Sequence, residues 1–172
     1  MASTGSSVRN QIVAAVLARI QGIDGTGNYV TSVGTNDARI WRRGQFTFGE
    51  LPELTINDGP VETMIQERPL GVWTFTLPFE IWMGVGVNLQ TASDSTQDCL
   101  QYTRDAMADI IFAIGVDRFW TVNGVRLALN TVPGESEIGS VDQSENVICL
   151  GLYKFTIQYR TPPFSPNTVA TY

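Results

Sequence analysis

The sequence predicts an α+β fold in which a mostly antiparallel sheet with two long strands packs against two helices. Three observations predict it. Residues 72–87 and 147–159 alternate apolar and polar side chains over twice the usual strand length. Residues 8–21 and 95–114 instead carry apolar side chains at helical spacing. Asp58-Gly59 and Asn123-Gly124 are tight-turn dipeptides between short β-prone runs. The length of 172 residues suits one domain, with residues 1–7 a flexible N-terminus, 8–161 the domain and 162–172 a C-terminal tail.

In chain order, Ser6 or Ser7 is a good cap for the first helix and Gly22 a natural stop. Val8, Ile12, Val16, Leu17 and Ile20 form its apolar stripe, with Arg9 and Arg19 outside it. Glycine-rich turn material surrounds a short strand expected at 29–33. Further short strands are expected near 45–48 and 54–56, with 61–65 returning as a hairpin after Asp58-Gly59. On the long strand Phe75, Leu77, Phe79, Ile81, Met83 and Val85 share one parity, Thr74, Thr76, Pro78 and Glu80 the other. Pro78 cannot donate a ladder hydrogen bond and predicts an edge position or a bulge.

Ser95 caps the second helix, with Asp98 near its unpaired amides. Cys99, Tyr102, Ala106 and Ile110 give it an apolar face wide enough to cover a sheet, and Gly115 ends it. Short strands follow at 119–122 and 125–129. Residues 132–146 are expected to form a long polar loop before the second long strand, which Thr161-Pro162-Pro163 terminates ahead of a loose tail.

The chain has no histidine, the usual acid–base group at neutral pH and a member of the common triads. Asp94 with Asp98 is explained by capping, and Asp105 with Asp109 by a solvated or interfacial helix face. Two cysteines, Cys99 and Cys149, lie among apolar residues and read as buried thiols; without histidine they cannot complete a four-ligand zinc site. No phosphate-cradling or calcium-loop spacing is present, so the sequence calls for no cofactor and no metal. No run of ~18 apolar residues suggests a membrane span, and no signal peptide is expected. With 17 acidic against 11 basic groups, the formal charge of −6 argues against a surface built to hold phosphate backbones.

What remains points to protein interfaces. Arg39, Arg42 and Arg43 surround Trp41, a composition that suits a solvated loop, a protein hot spot or stacking on nucleic acid. Trp82 lies on the polar parity of the long strand and is the better interface candidate of the two tryptophans there, Trp73 belonging with the apolar set. Glu135, Glu137, Asp142 and Glu145 make the 132–146 segment acidic, with no basic residue. An acidic segment and a basic cluster on one chain suit a head-to-tail contact between copies.

The segments VRNQIVAAVLARIQGI, LPELTINDGP, DCLQYTRDAMADIIFAIG and YKFTIQYRTP, with the long strand between them, resemble the tail terminator or tail-completion proteins of tailed bacteriophages. The likeness is one of layout over residues 8–161, without a short diagnostic motif. It implies a small structural virion protein, not an enzyme, that assembles as a homo-oligomeric ring, typically hexameric. Such a ring sits at the head-proximal end of the tail tube at the tail–neck junction, stops tube polymerisation and joins the tail to the neck. The implied partners are the tail tube protein and a neck or connector protein, with genomic DNA passing through an acidic lumen unbound and no membrane. The resemblance implies that 34–50 and 132–146 project into ring contacts or the lumen. The long Arg- and Trp-bearing 39–48 segment departs from the pattern and leaves a head–tail connector or stopper of the neck as an alternative. A non-viral protein-binding module is a further alternative.

Overall fold

The computed structural model describes residues 6–34, 38–40, 53–59, 63–67, 71–88, 95–143, 146–165 and 167–170. Its elements are α1 (Val8–Gln21), β1 (Ala38–Ile40), β2 (Glu53–Asp58), β3 (Thr63–Glu67), β4 (Val72–Asn88), α2 (Ser95–Gly115), β5 (Thr121–Val122), β6 (Val125–Arg126), β7 (Asn130–Gln143) and β8 (Asn146–Thr161). The fold is α+β, with two helices on a mostly antiparallel sheet. The sheet order is β1-β2-β4-β8-β7, and β3 also pairs with β4. Among the described strands of this sheet, only β1 runs parallel to its neighbour. The expected strand at 45–48 lies outside the described residues.

The two long strands are central and adjacent, paired in antiparallel register from Trp73 opposite Thr161 to Asn88 opposite Asn146. Alternation sends Leu77, Phe79, Ile81 and Met83 to the same side as Ile157, Phe155 and Tyr153, where all are buried. Phe79 stacks on Phe155 with centroids 5.1 Å apart. Both helices cover this face. The buried stripe of α2 runs through Cys99, Thr103, Ala106, Met107, Ile110, Ala113 and Ile114. Close approach needs Gly151 on β8, because a Cβ there would stand 2.6 Å from the Met107 Sδ. Helix α1 buries Val8, Ile12, Val16 and Ile20, a narrower stripe at i, i+4 spacing. Ser7 accepts the Asn10 amide as its cap, and Arg9 reaches Asp58 at the end of β2 at 2.7 Å, fixing the helix to the sheet. Cys99 and Cys149 are both buried and not in a disulfide.

Several expectations need correction. The segment after Asp58-Gly59 does not fold back on β2. Instead β2 pairs with residues 79–84 of β4 and β3 pairs with 72–76, so the two lie end to end along one side of β4. Pro78 therefore sits in a central strand, neither at an edge nor in a bulge, and the break between β2 and β3 lies opposite it. The Gly59 amide donates to the Pro78 carbonyl at 2.7 Å. In a strand, amide and carbonyl of one residue point the same way, so the donor that proline lacks would have faced this gap. Gly59 is required there, since a Cβ would meet the Pro78 ring at 2.5 Å.

Residues 29–33 are not a strand. They form a loop held by Asp109, which is 4% exposed and accepts the Val30 and Thr31 amides and the Thr31 hydroxyl. The carboxylate expected on a solvated helix face is thus a buried anchor. The expected loop at 132–146 is a strand over residues 132–143, where β7 pairs with β8 along almost its whole length. The tail past Thr161 is also more ordered than expected. Phe164 meets Trp73 edge-on at 4.8 Å, Val169 packs on the core, and the Ala170 amide donates to Arg160.

Candidate protein interface

Strand β7 is the far edge of the sheet, and among the described residues no strand pairs with its outer side. Every residue from Val132 to Val141 is exposed. Alternation keeps Val132, Glu137 and Val141 on the face away from the helices, as their partners Thr156, Leu152 and Ile148 show. A long edge strand bearing Val132, Ile138 and Val141 in solvent is a template for association, and its carboxylates restrict what can pair with it. Glu135 lies 3.6 Å from Lys154 and stays largely exposed. Glu137 has no cationic partner among the described residues.

Trp82 is half-buried on the same outer face, opposite Leu152 and Thr55, and its Nε1 donates to Glu80 at 3.3 Å. With Glu137, Gly139, Leu150 and Leu152 it lines a shallow depression of about 210 Å³. The structure therefore brings Trp82 and Glu137 together. Arg39 lies on β1 and Asp142 on β7, but the side chains of both fall outside the described residues. Trp41, Arg42, Arg43 and Glu145 lie wholly outside them, so the expected Arg–Trp cluster has no described geometry.

A basic site that the sequence reading missed lies at the opposite end of the sheet. The β5–β6 hairpin turns through Asn123 and Gly124, both at positive φ (51° and 78°), as a two-residue turn requires. That turn brings Arg118, Phe119 and Arg126 together. The Arg126 and Arg118 guanidinium carbons lie 4.7 and 5.1 Å from the Phe119 ring centre. Neither arginine has a carboxylate partner among the described residues. Phe119, Arg126, Leu127, Leu129, Arg160 and Val169 line a half-open cleft of about 500 Å³. The signal was legible, since DRFW and VRL straddle an Asn-Gly turn, but short hairpins hide how close their flanks come.

Asp117 holds the base of this hairpin. It accepts the Phe119 amide at 2.9 Å and the Thr121 amide at 2.7 Å, and lies 3.6 Å from Arg19. Burial pushes its carboxyl upward, but the Thr121 and Phe119 amides, the Thr121 hydroxyl and Arg19 together outweigh that and hold it below the ordinary carboxylate range. The folded value is lower than the unfolded one, so the stabilisation is complete above about pH 3.9 and is lost as pH falls through the folded value. Acid unfolding followed by circular dichroism should show this loss below about pH 4, and Asp117→Asn should remove that part of the pH dependence. No protein-family model matches the chain, and no curated protein does so either.

Proposed function

We propose that the chain is a structural subunit that self-assembles into a ring, hexameric as the tail-terminator resemblance implies. On this reading the ring sits at the head-proximal end of a phage tail tube, ends tube polymerisation and joins the tail to the neck. Its partners are further copies of itself, the tube protein below and a neck protein above, and its work is mechanical rather than catalytic. The observation that carries the reading is β7, a 14-residue edge strand exposed from Val132 to Val141 and, among the described residues, unpaired along its outer side. An edge of that length is a liability for a monomer and a resource for an assembling subunit. A rigid layer of two paired strands of 17 and 16 residues supports it, so its geometry is preset for a partner. An acidic chain also suits a lumen through which DNA passes without being held.

The test is direct. The purified chain, added to polymerising tube protein from the same phage, should arrest elongation and appear by electron microscopy as a cap at one tube end. Tubes that elongate unchanged, with no density at either end, would contradict the reading.

A further inference from the structure

We infer that the cleft of Phe119, Arg126 and Arg160 receives the edge strand β7, around Glu137 and Val141, of a second copy of this chain. The inference rests on the self-assembly reading and names the two surfaces that meet. Four observations lead to it. First, the cleft is apolar-walled and basic: Leu127, Leu129 and Val169 line it with Arg126 and Arg160, and among the described residues no carboxylate does. Its volume of about 500 Å³ is enough for a few side chains. Val122 and Val125 beside it are also exposed, at 37% and 48%.

Second, β7 offers the complement. Glu137 lacks a cation among the described residues, while Val141 further along the same face is 47% exposed and Ile138, on the other face of the same edge, is 39% exposed. Arg126 on one surface and Glu137 on the other thus carry opposite charge without an ion-pair partner among the described residues, each beside bare apolar area, the composition of a specific contact. Third, Phe119 holds two guanidiniums against its ring, which limits the side-chain freedom lost when a carboxylate docks.

Fourth, one copy cannot satisfy itself. Glu137 is opposite Leu152 and Val141 opposite Ile148 on β8, whereas Arg160 is near the other end of that strand. At ~3.3 Å per residue, Glu137 lies roughly 26 Å and Val141 roughly 40 Å from the level of Arg160. The continuous ladder of β4, β8 and β7 holds these levels apart, so β7 of the same copy does not reach its own cleft. Two different surfaces at opposite ends of one sheet make a heterologous contact, which closes into a ring when the rotation between copies permits.

The test is a charge swap read by sedimentation velocity, with circular dichroism confirming the fold of each variant. Arg126 and Glu137 are both exposed, so Arg126→Glu and Glu137→Arg should fold normally. Each alone should raise the concentration needed for assembly at least ~10-fold, and the double variant should restore it. A mixture of the two single variants should also assemble, because each supplies the charge that the other has reversed. Arg104→Glu, an equal change of net charge at an exposed site on α2, should assemble as the wild type does. If the wild type assembles and the single variants assemble equally well, or Arg104→Glu weakens assembly as much, this contact is wrong while the self-assembly reading stands. If the single variants instead lose only retention of DNA, the cleft is a nucleic-acid site and the inference is overturned. A wild type that sediments as a monomer at every concentration overturns the self-assembly reading and this contact with it.

Discussion

Replacing Trp120 with alanine is expected to destabilise the fold by about 3–5 kcal/mol, the range for truncating a buried tryptophan. Trp120 is completely buried and is the largest such side chain among the described residues. Its Nε1 donates to the Thr131 hydroxyl at 2.8 Å, which in turn donates to the Arg118 carbonyl at 2.9 Å. The Arg19 guanidinium lies 3.8 Å from its ring centre, so the tryptophan joins α1 to the start of β7. Its backbone sits at φ 52°, a conformation that costs a non-glycine residue about 1 kcal/mol and is tolerated here because the ring is so fully packed. The Trp120 carbonyl also accepts the Leu127 amide, which closes the β5–β6 hairpin. Thermal unfolding should show a fall in Tm of roughly 10 °C for a domain of this size. Assembly should weaken too, because the cleft stands on this hairpin. A loss below about 1 kcal/mol would mean that the ring is not seated as described.

Asp109→Ala is the second large effect, expected at about 3–5 kcal/mol by chemical denaturation. The substitution leaves the Thr31 amide and hydroxyl, both buried, and the part-buried Val30 amide without their acceptor, and each orphaned buried donor costs about 1–3 kcal/mol. Asp109→Asn keeps one acceptor oxygen and should lose about half as much. Asp105→Ala, one turn earlier on the same helix and less buried, should change stability by no more than about 0.5 kcal/mol. The loop at 24–32 should also become the first site of proteolytic nicking in Asp109→Ala. Equal losses at Asp105 and Asp109 would contradict the anchor.

The same carboxylate shows where sequence reading stops. Helical spacing assigned both helices almost to the residue, because an apolar stripe and a cap are local signals. It could not assign Asp109 to the interior, since the partner that makes burial tolerable lies 78 positions away in Thr31. The long strands were equally legible, as period-2 alternation persists whatever lies next to it. Pairing was not. Residues 61–65 were given a hairpin by the Asp-Gly turn, whereas Pro78 in a distant strand decides where the ladder is interrupted. The 132–146 segment read as a loop because it is polar with Pro133 and Gly134, and it is a strand because β8 supplies a full ladder beside it. The register breaks between Pro133 and Ser136, which accommodates both residues. Of the candidate interface, the acidity of the 135–145 segment and the polar parity of Trp82 are features of the sequence itself. DRFW and VRL about the Asn-Gly turn signal Arg118 and Arg126, but how closely the two approach one phenylalanine shows only in the folded hairpin.

The central claim is that this chain is built to join copies of itself head to tail into a closed ring. The measurement that tests it most directly is the mass of the wild-type chain by light scattering, over a range of concentration and salt, alone and with tube protein present. The account predicts a discrete particle of hexamer mass assembled from 18.9 kDa chains, reached at low salt and dissociating as salt screens the contact. A monomer at every concentration and salt, with and without the tube protein, would contradict it.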